Sequence, residues 1–511
     1  MSIAITTQRV HIELKRVQTW LFAVPRLRAM VGANALLGKT LRVELPKLAR
    51  EAGRGWALAP STEKYPAADS SDPLMNHDDP ATAAMEGILS LDGGHFEAQF
   101  ASGATAFANA AAQLLRTRLP GLRFRVDIDD NRLTTDQVQL STELPVLAPC
   151  EWTGRGLASA IVEQGDDRPA VSLDVAQRHK AARDTEEGTA VDVASLLSYQ
   201  TKLKTLKRPQ DLEELVGDGY LALIHADGNG VGSDAGEDES KRAVYFHRNR
   251  VLLRRAVQKA INKHCPETGQ APLVLLMLGG DDLLLVCRAE IALPFVVTLC
   301  EALNEAQSNE LQSNDNGVKL TLGVGVVIAK YTIPIHRLHE VAEQLASSAK
   351  RRFRGLVKAG SAKRSVVDWA VYSTAWVDDP EEVRRRDWLR EGGNERRVLS
   401  RRPVDVLGER LDSLQGLTRG ADQLTGAPRS QLRYLADQLP RGRALSELAF
   451  AELPREAREP LKNAGVSEPW QRAANNGPWL TSLLDLVEIF EIERLGRRNK
   501  NADTEREAKH V

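Results

Sequence analysis

Short unbroken apolar runs alternate along this chain with long amphipathic stretches. Two such runs, 273–278 and 283–287, flank Gly279-Gly280-Asp281-Asp282. Apolar runs of that length, bounded by turn signals, predict strands buried on both faces. Gly279 and Gly280 supply the positive φ of a tight turn. The segment therefore predicts an antiparallel hairpin with both aspartates at its tip. Another apolar run, 220–226, ends in Asp227-Gly228-Asn229-Gly230. Helical periodicity follows at 239–265, 291–307 and 335–355, and a strand pattern at 318–330. The order β-α-β-β-α-β-α is that of a ferredoxin-like palm with an added helix.

The N-terminal third carries a similar order. Residues 8–20 begin as a strand, 26–53 read as helix, and 59–84 are rich in turn formers. Residues 86–100 predict strand–turn–strand around Asp92-Gly93-Gly94, followed by a helix (104–119) and a strand (122–129). Both halves thus hold a hairpin with a double glycine, at 92–95 and 279–282. This suggests a duplicated palm of which only the second copy kept its acids. The expected domains are a degenerate first palm (1–149), a bridging region (150–215), a second, catalytic palm (216–375) and a helical C-terminal domain (376–511). The fold class is α+β.

Composition adds bounds. Net charge is −1, from 68 basic and 69 acidic residues, so the chain has no global basic footprint for nucleic acid. Apolar runs are too short for membrane spans. Four cysteines without a CxxC pair argue against a zinc ribbon or a disulfide framework and fit a reduced cytoplasm.

The chemistry lies in the acids. Adjacent carboxylates raise each other's pKa unless a cation stands between them. Hard oxygen donors suit Mg²⁺ or Mn²⁺. In a palm sheet the strand ending at Asp227 lies beside the hairpin, so Asp227, Asp281 and Asp282 would converge at one edge. Three such acids can hold a two-metal phosphoryl-transfer site. Gly228, Gly230 and Gly232 would let phosphate approach the backbone, with Asn229, Gly279 and Gly280 beside them. Lys350, late in the last palm helix, could reach a phosphate. His225 reads as a core histidine and His77-Asp78-Asp79 as an ordinary polar loop. The run 384–391 reads as a solvated helix face, and is where an RNA contact would first be sought.

The motifs ALIHADGNGVG, GGDD, LTLGVGVVIAKYTIPI and EVAEQLASSAKR, with FAVPRLRAMVGANALL near the N-terminus, together resemble the large catalytic subunit of type III CRISPR effector complexes. That family is related to GGDEF diguanylate cyclases. The resemblance covers roughly 8–375 well and the rest loosely. It implies synthesis of cyclic oligoadenylates from ATP, with Asp227, Asp281 and Asp282 on metal and Lys350 on phosphate. It implies guide RNA and other effector subunits as partners. Two departures stand out. Asn229 replaces a frequent aspartate, and the family's zinc cysteines reduce to Cys150. The family's HD nuclease domain is not expected in this chain, nor is DNA cleavage. Two alternatives remain: a non-catalytic palm that binds nucleotide or RNA in a ribonucleoprotein, and a cyclase with another product, such as cyclic diguanylate.

Overall fold

The computed structural model describes residues 7–51, 53–62, 65, 69–129, 131–134, 148–163, 168–186, 191–217, 219–235, 239–311, 319–372, 379–392, 395–474 and 477–507. The first sheet contains β1 (Gln8–Lys15), β2 (Ala57–Leu58), β3 (Ile88–Ser90), β4 (His95–Ser102), β5 (Arg123–Ile128) and β6 (Asn131–Thr134). Their order is β2-β4-β1-β5-β6, with β3 also on β4. Within it, β5-β1-β4-β3 is the antiparallel ferredoxin-like arrangement. A small ribbon, β7 (Ala160–Ile161) with β8 (Ala170–Val171), follows.

The second sheet repeats that arrangement. Its strands are β9 (Tyr220–Gly228), β10 (Leu273–Gly279), β11 (Asp282–Arg288), β12 (Leu322–Lys330) and β13 (Val366–Tyr372). After the hairpin β14 (Leu389–Gly392) and β15 (Glu395–Val398), β16 (Val404–Asp405) closes one edge. The order is β10-β11-β9-β12-β13-β16. The fold is thus α+β, with two ferredoxin-like palms followed by a mainly helical region.

Period-two alternation explains how the palms meet. On β9, Ala222, Ile224 and Ala226 join a core shared with the 239–264 and 289–311 helices and the C-terminal helices. Leu221 and Leu223 face the other way, into a cluster continuous with the first palm and the 335–358 helix. Both faces of the sheet are therefore apolar, as the unbroken runs require.

Two regions differ from expectation. Residues 150–215 hold a helix, Leu173–Glu186, that packs tightly on Leu27–Lys39; a Cβ at Gly32 would lie 1.7 Å from the Arg178 carbonyl oxygen. The C-terminal region also contains strands: β17 (Gln471–Arg472) and β18 (Trp479–Leu480) join β14 and β15 in a four-stranded sheet. These strands are too short for alternation to register. Among the described residues no helix is long and apolar enough to cross a membrane.

The 335–358 helix is held close to β12 through Gly325. A Cβ there would lie 2.1 Å from the Ala342 carbonyl oxygen. Gly325→Ala should force helix and strand apart and cost about 1–3 kcal/mol, read as a lowered urea midpoint. An unchanged midpoint would contradict this packing.

Candidate active site between the palms

The hairpin closes as its sequence implies, one residue tighter on each side. Gly279 pairs with Asp282, leaving Gly280 and Asp281 as a two-residue turn. Only Gly280 needs the left-handed region, at φ 61°; Gly279 stays in the strand. On the neighbouring strand, Ala226 pairs with Leu283, so Asp227 ends beside the hairpin tip. The missing side chain of Gly228 makes room for the turn. A Cβ there would lie 2.3 Å from Asp281 Oδ2.

The three acids therefore converge, and the hairpin pair is disturbed. Burial raises the Asp282 pKa well above the ordinary carboxylate range, with Asp227 and Asp281 adding to the rise. Burial and the Asp227 charge raise Asp281 as well. Lys350, on the 335–358 helix, reaches in and pairs with Asp227. Its path depends on Gly323, where a Cβ would lie 2.6 Å from Lys350 Cγ.

The other expected residues divide. Gly230 takes φ 68° and starts the short helix Val231–Asp234, which contains Gly232. Asn229 is held from one side only, its Oδ1 having no hydrogen-bond partner. It is 2% exposed, and its amide donates to Thr321 Oγ1 at 3.2 Å, so it pins the turn to the base of β12. His225 is buried, which lowers its pKa to about 4, and it accepts from Gln18 of the first palm. Gln18 also accepts from His339, at 2.7 Å. His225 is thus a neutral interpalm contact.

The first palm's double-glycine turn faces the acids directly. A Cβ at Gly279 would lie 3.6 Å from Asp92 Oδ1 and 3.7 Å from Gly93 Cα. Cavities of about 450 and 520 Å³ flank this contact. Leu91, Asp92, Gly93, Gly279 and Asp282 border both; Asp227 opens on the first and Asp281 on the second. Each volume is in the range of small-ligand sites.

An ion cluster that sequence reasoning missed holds this arrangement. Arg254, 1% exposed on the 239–264 helix, donates to Asp72 at 2.8 Å and to Asp78 at 2.7 Å, and lies 3.5 Å from Asp92. Arg250 approaches Asp78 and Asp92 at 3.3 and 3.5 Å, and Arg42 approaches Asp78 at 3.5 Å. Burial would raise the Asp78 pKa, but Arg250, Arg42 and Arg254 together hold it well below the usual range. Asp79 caps the helix Pro80–Met85. His77-Asp78-Asp79 is therefore an anchored loop. The signal was the unbroken pairing of Arg250 and Arg254 on one helical face, opposite a loop rich in aspartate.

Residues 220–356 match one family model, described as Cas10/Cmr2, second palm domain. The match contains Asp227, Asp281, Asp282 and Lys350, and it bears out the resemblance read from the motifs. No curated protein matches the sequence. Similar solved structures include an apo Csm1–Csm4 cassette, at 13% identity over 96% of this chain and 70% of that one, TM-score 0.45. Csm1 in T.onnurineus matches at 13% identity over 96% and 69%, TM-score 0.45. A Csm1–Csm4 cassette in complex with pppApApA matches at 14% identity over 96% and 70%, TM-score 0.46.

A divalent cation fits the acids at this hairpin tip by donor chemistry. Three carboxylates face one ammonium, which leaves surplus negative charge in a buried place. Among the described residues no three His, Cys, Asp or Glu groups stand at metal-ligand spacing. The fit is thus one of charge and donor type.

Carboxyls with raised folded pKa values weaken the fold as pH climbs. The penalty is absent below the unfolded value near ~4 and complete above the raised folded value. Metal-free protein should lose thermal stability from pH 5 to pH 8, and Mg²⁺ or Mn²⁺ should restore more at pH 8 than at pH 5. Asp282→Asn should raise the metal-free melting temperature at pH 8 and abolish the response to the cations. A variant that melts like wild type in both conditions would contradict this electrostatic account.

Proposed function

We propose that this chain is a metal-dependent nucleotidyltransferase that joins ATP into cyclic oligoadenylates. The observation that carries the reading is the convergence of Asp227, Asp281, Asp282 and Lys350 beside two interpalm cavities, within a Cas10/Cmr2 palm segment. In each extending step a ribose hydroxyl oxygen attacks the α-phosphorus of another triphosphate, and in the closing step it attacks the α-phosphorus at the 5′ end of its own chain. The bond to the β-phosphate breaks, pyrophosphate leaves, and the hydroxyl proton is lost to solvent. Bound Mg²⁺ or Mn²⁺ would neutralise the triphosphate and acidify the attacking hydroxyl. Asp227, Asp281 and Asp282 would hold the ions, and Lys350 would exchange its Asp227 partner for a phosphate oxygen.

The two cavities meeting at Asp282 and Asp92 support a reaction between two nucleotides. Each can hold one, with the reacting atoms near the hairpin tips. Positioning and charge neutralisation then supply the acceleration, with no protein nucleophile. We further propose that guide RNA and other effector subunits join the chain, as in the type III systems it resembles.

Incubation with each NTP and with mixtures, in Mg²⁺ and in Mn²⁺ and with mass-spectrometric readout, tests this reading. Wild type should yield a cyclic adenylate. Asp281→Ala/Asp282→Ala should lose it by on the order of 10²–10³-fold while still folding. A guanylate product would move the function to a diguanylate cyclase. ATP binding without product, even with guide and target RNA added, would leave a palm kept for binding.

A further inference from the structure

Gly323 of β12 makes room for two side chains at once. A Cβ there would lie 2.6 Å from Lys350 Cγ and 3.0 Å from Asn229 Oδ1. The stem of Lys350 and the carbonyl of Asn229 are therefore neighbours above one glycine. The sheet register sets this up, since Gly323 pairs with Asp227, two residues before Asn229.

The base of β12 fixes Asn229 from behind. Its backbone N–H donates to the Thr321 carbonyl oxygen at 2.8 Å, and its side-chain amide donates to Thr321 Oγ1 at 3.2 Å. Asn229 is buried, yet its Oδ1 accepts no hydrogen bond. Buried polar atoms in native proteins are normally satisfied. The reverse amide orientation gives no relief, because it would point an N–H toward a side chain whose polar atom only donates. An idle acceptor beside a lysine stem calls for a donor that arrives in another state of the site.

Lys350 can be that donor. Its ammonium pairs with Asp227 in the structure. A divalent ion on Asp227 would engage the same carboxylate and repel the ammonium. Three bonds separate Cγ from Nζ, so staggered rotations can swing the ammonium from Asp227 toward Asn229. An ammonium carries three donors. One bond to Oδ1 leaves two for phosphate oxygens. The neutrality of the amide matters here. A carboxylate at this position would hold the lysine as an ion pair, whereas an amide directs it and leaves its charge to the phosphates.

We infer that Asn229 is a positioning residue for Lys350: its Oδ1 seats the ammonium once a divalent cation occupies Asp227, and keeps it aimed at the triphosphate. The inference rests on the nucleotidyltransferase reading and assigns how its lysine is held. The competing role is a purely structural one, in which Asn229 serves the turn through Thr321 alone.

A double-mutant cycle separates the two, with equilibrium binding of α,β-methylene ATP to the full chain in Mg²⁺ as the readout. Lys350→Met should weaken binding by about 10-fold or more. Asn229→Ala should lose about 10-fold beside the lysine and little in the Lys350→Met background. Losses as large in the Lys350→Met background would assign Asn229 to the turn alone, overturning the inference and leaving the nucleotidyltransferase reading standing. Full binding by either single variant would overturn it too. Failure of wild type to bind the analogue would overturn both. If Asn229→Ala does not fold, the near-isosteric Asn229→Asp decides. Its added charge should weaken binding more in the Lys350→Met background than beside the lysine that neutralises it, and equal or smaller weakening there overturns the inference.

Discussion

The geometry between the palms depends on Arg254. One buried guanidinium from the second palm meets Asp72, Asp78 and Asp92 of the first. A buried charge is tolerated only when paired and hydrogen-bonded. The cluster therefore specifies one relative placement of the two domains, since any shift would strand charges away from water. Because Asp92 belongs both to this cluster and to the first hairpin tip, the placement of the domains and the placement of the tips are one constraint. The apolar cluster shared by the palms supplies adhesion, which is not directional. The arginine supplies register.

Held this way, the hairpin tips keep Asp281 and Asp282 near Asp227 despite mutual repulsion. The unbroken apolar strands below cannot relax by sliding, because a one-residue slip would reverse both buried faces. The site is thus strained electrostatically on a stiff support. Lys350 relieves part of that strain through Asp227. Such an arrangement favours an incoming cation and a polyanionic ligand more than a loose loop would.

The palms were legible in the sequence because each signal was local and strong. The apolar runs named β9, β10 and β11, and Gly280 named the turn. The hairpin tip with Asp281 and Asp282, and the approach of Asp227, followed from topology. The interpalm relations were not legible. The paired arginines and the aspartate-rich loop are each visible in the sequence, but not that Asp78 meets Arg254 or that the turn at Asp92 faces Gly279, since those contacts join positions far apart in the chain. The bond from Asn229 to Thr321 was hidden for the same reason, since Thr321 lies 92 residues away, just before β12. The short C-terminal strands left no periodicity to read.

The central claim is that the acids at the facing tips take a divalent cation together with a nucleoside triphosphate. The most direct measurement is Mn²⁺ binding followed by electron paramagnetic resonance, with and without ATP, in wild type and in Asp227→Asn/Asp281→Asn/Asp282→Asn. The account predicts that ATP tightens Mn²⁺ binding to wild type and that the variant loses the protein-bound signal. An equal protein-bound signal in the variant would contradict it and place the cation elsewhere.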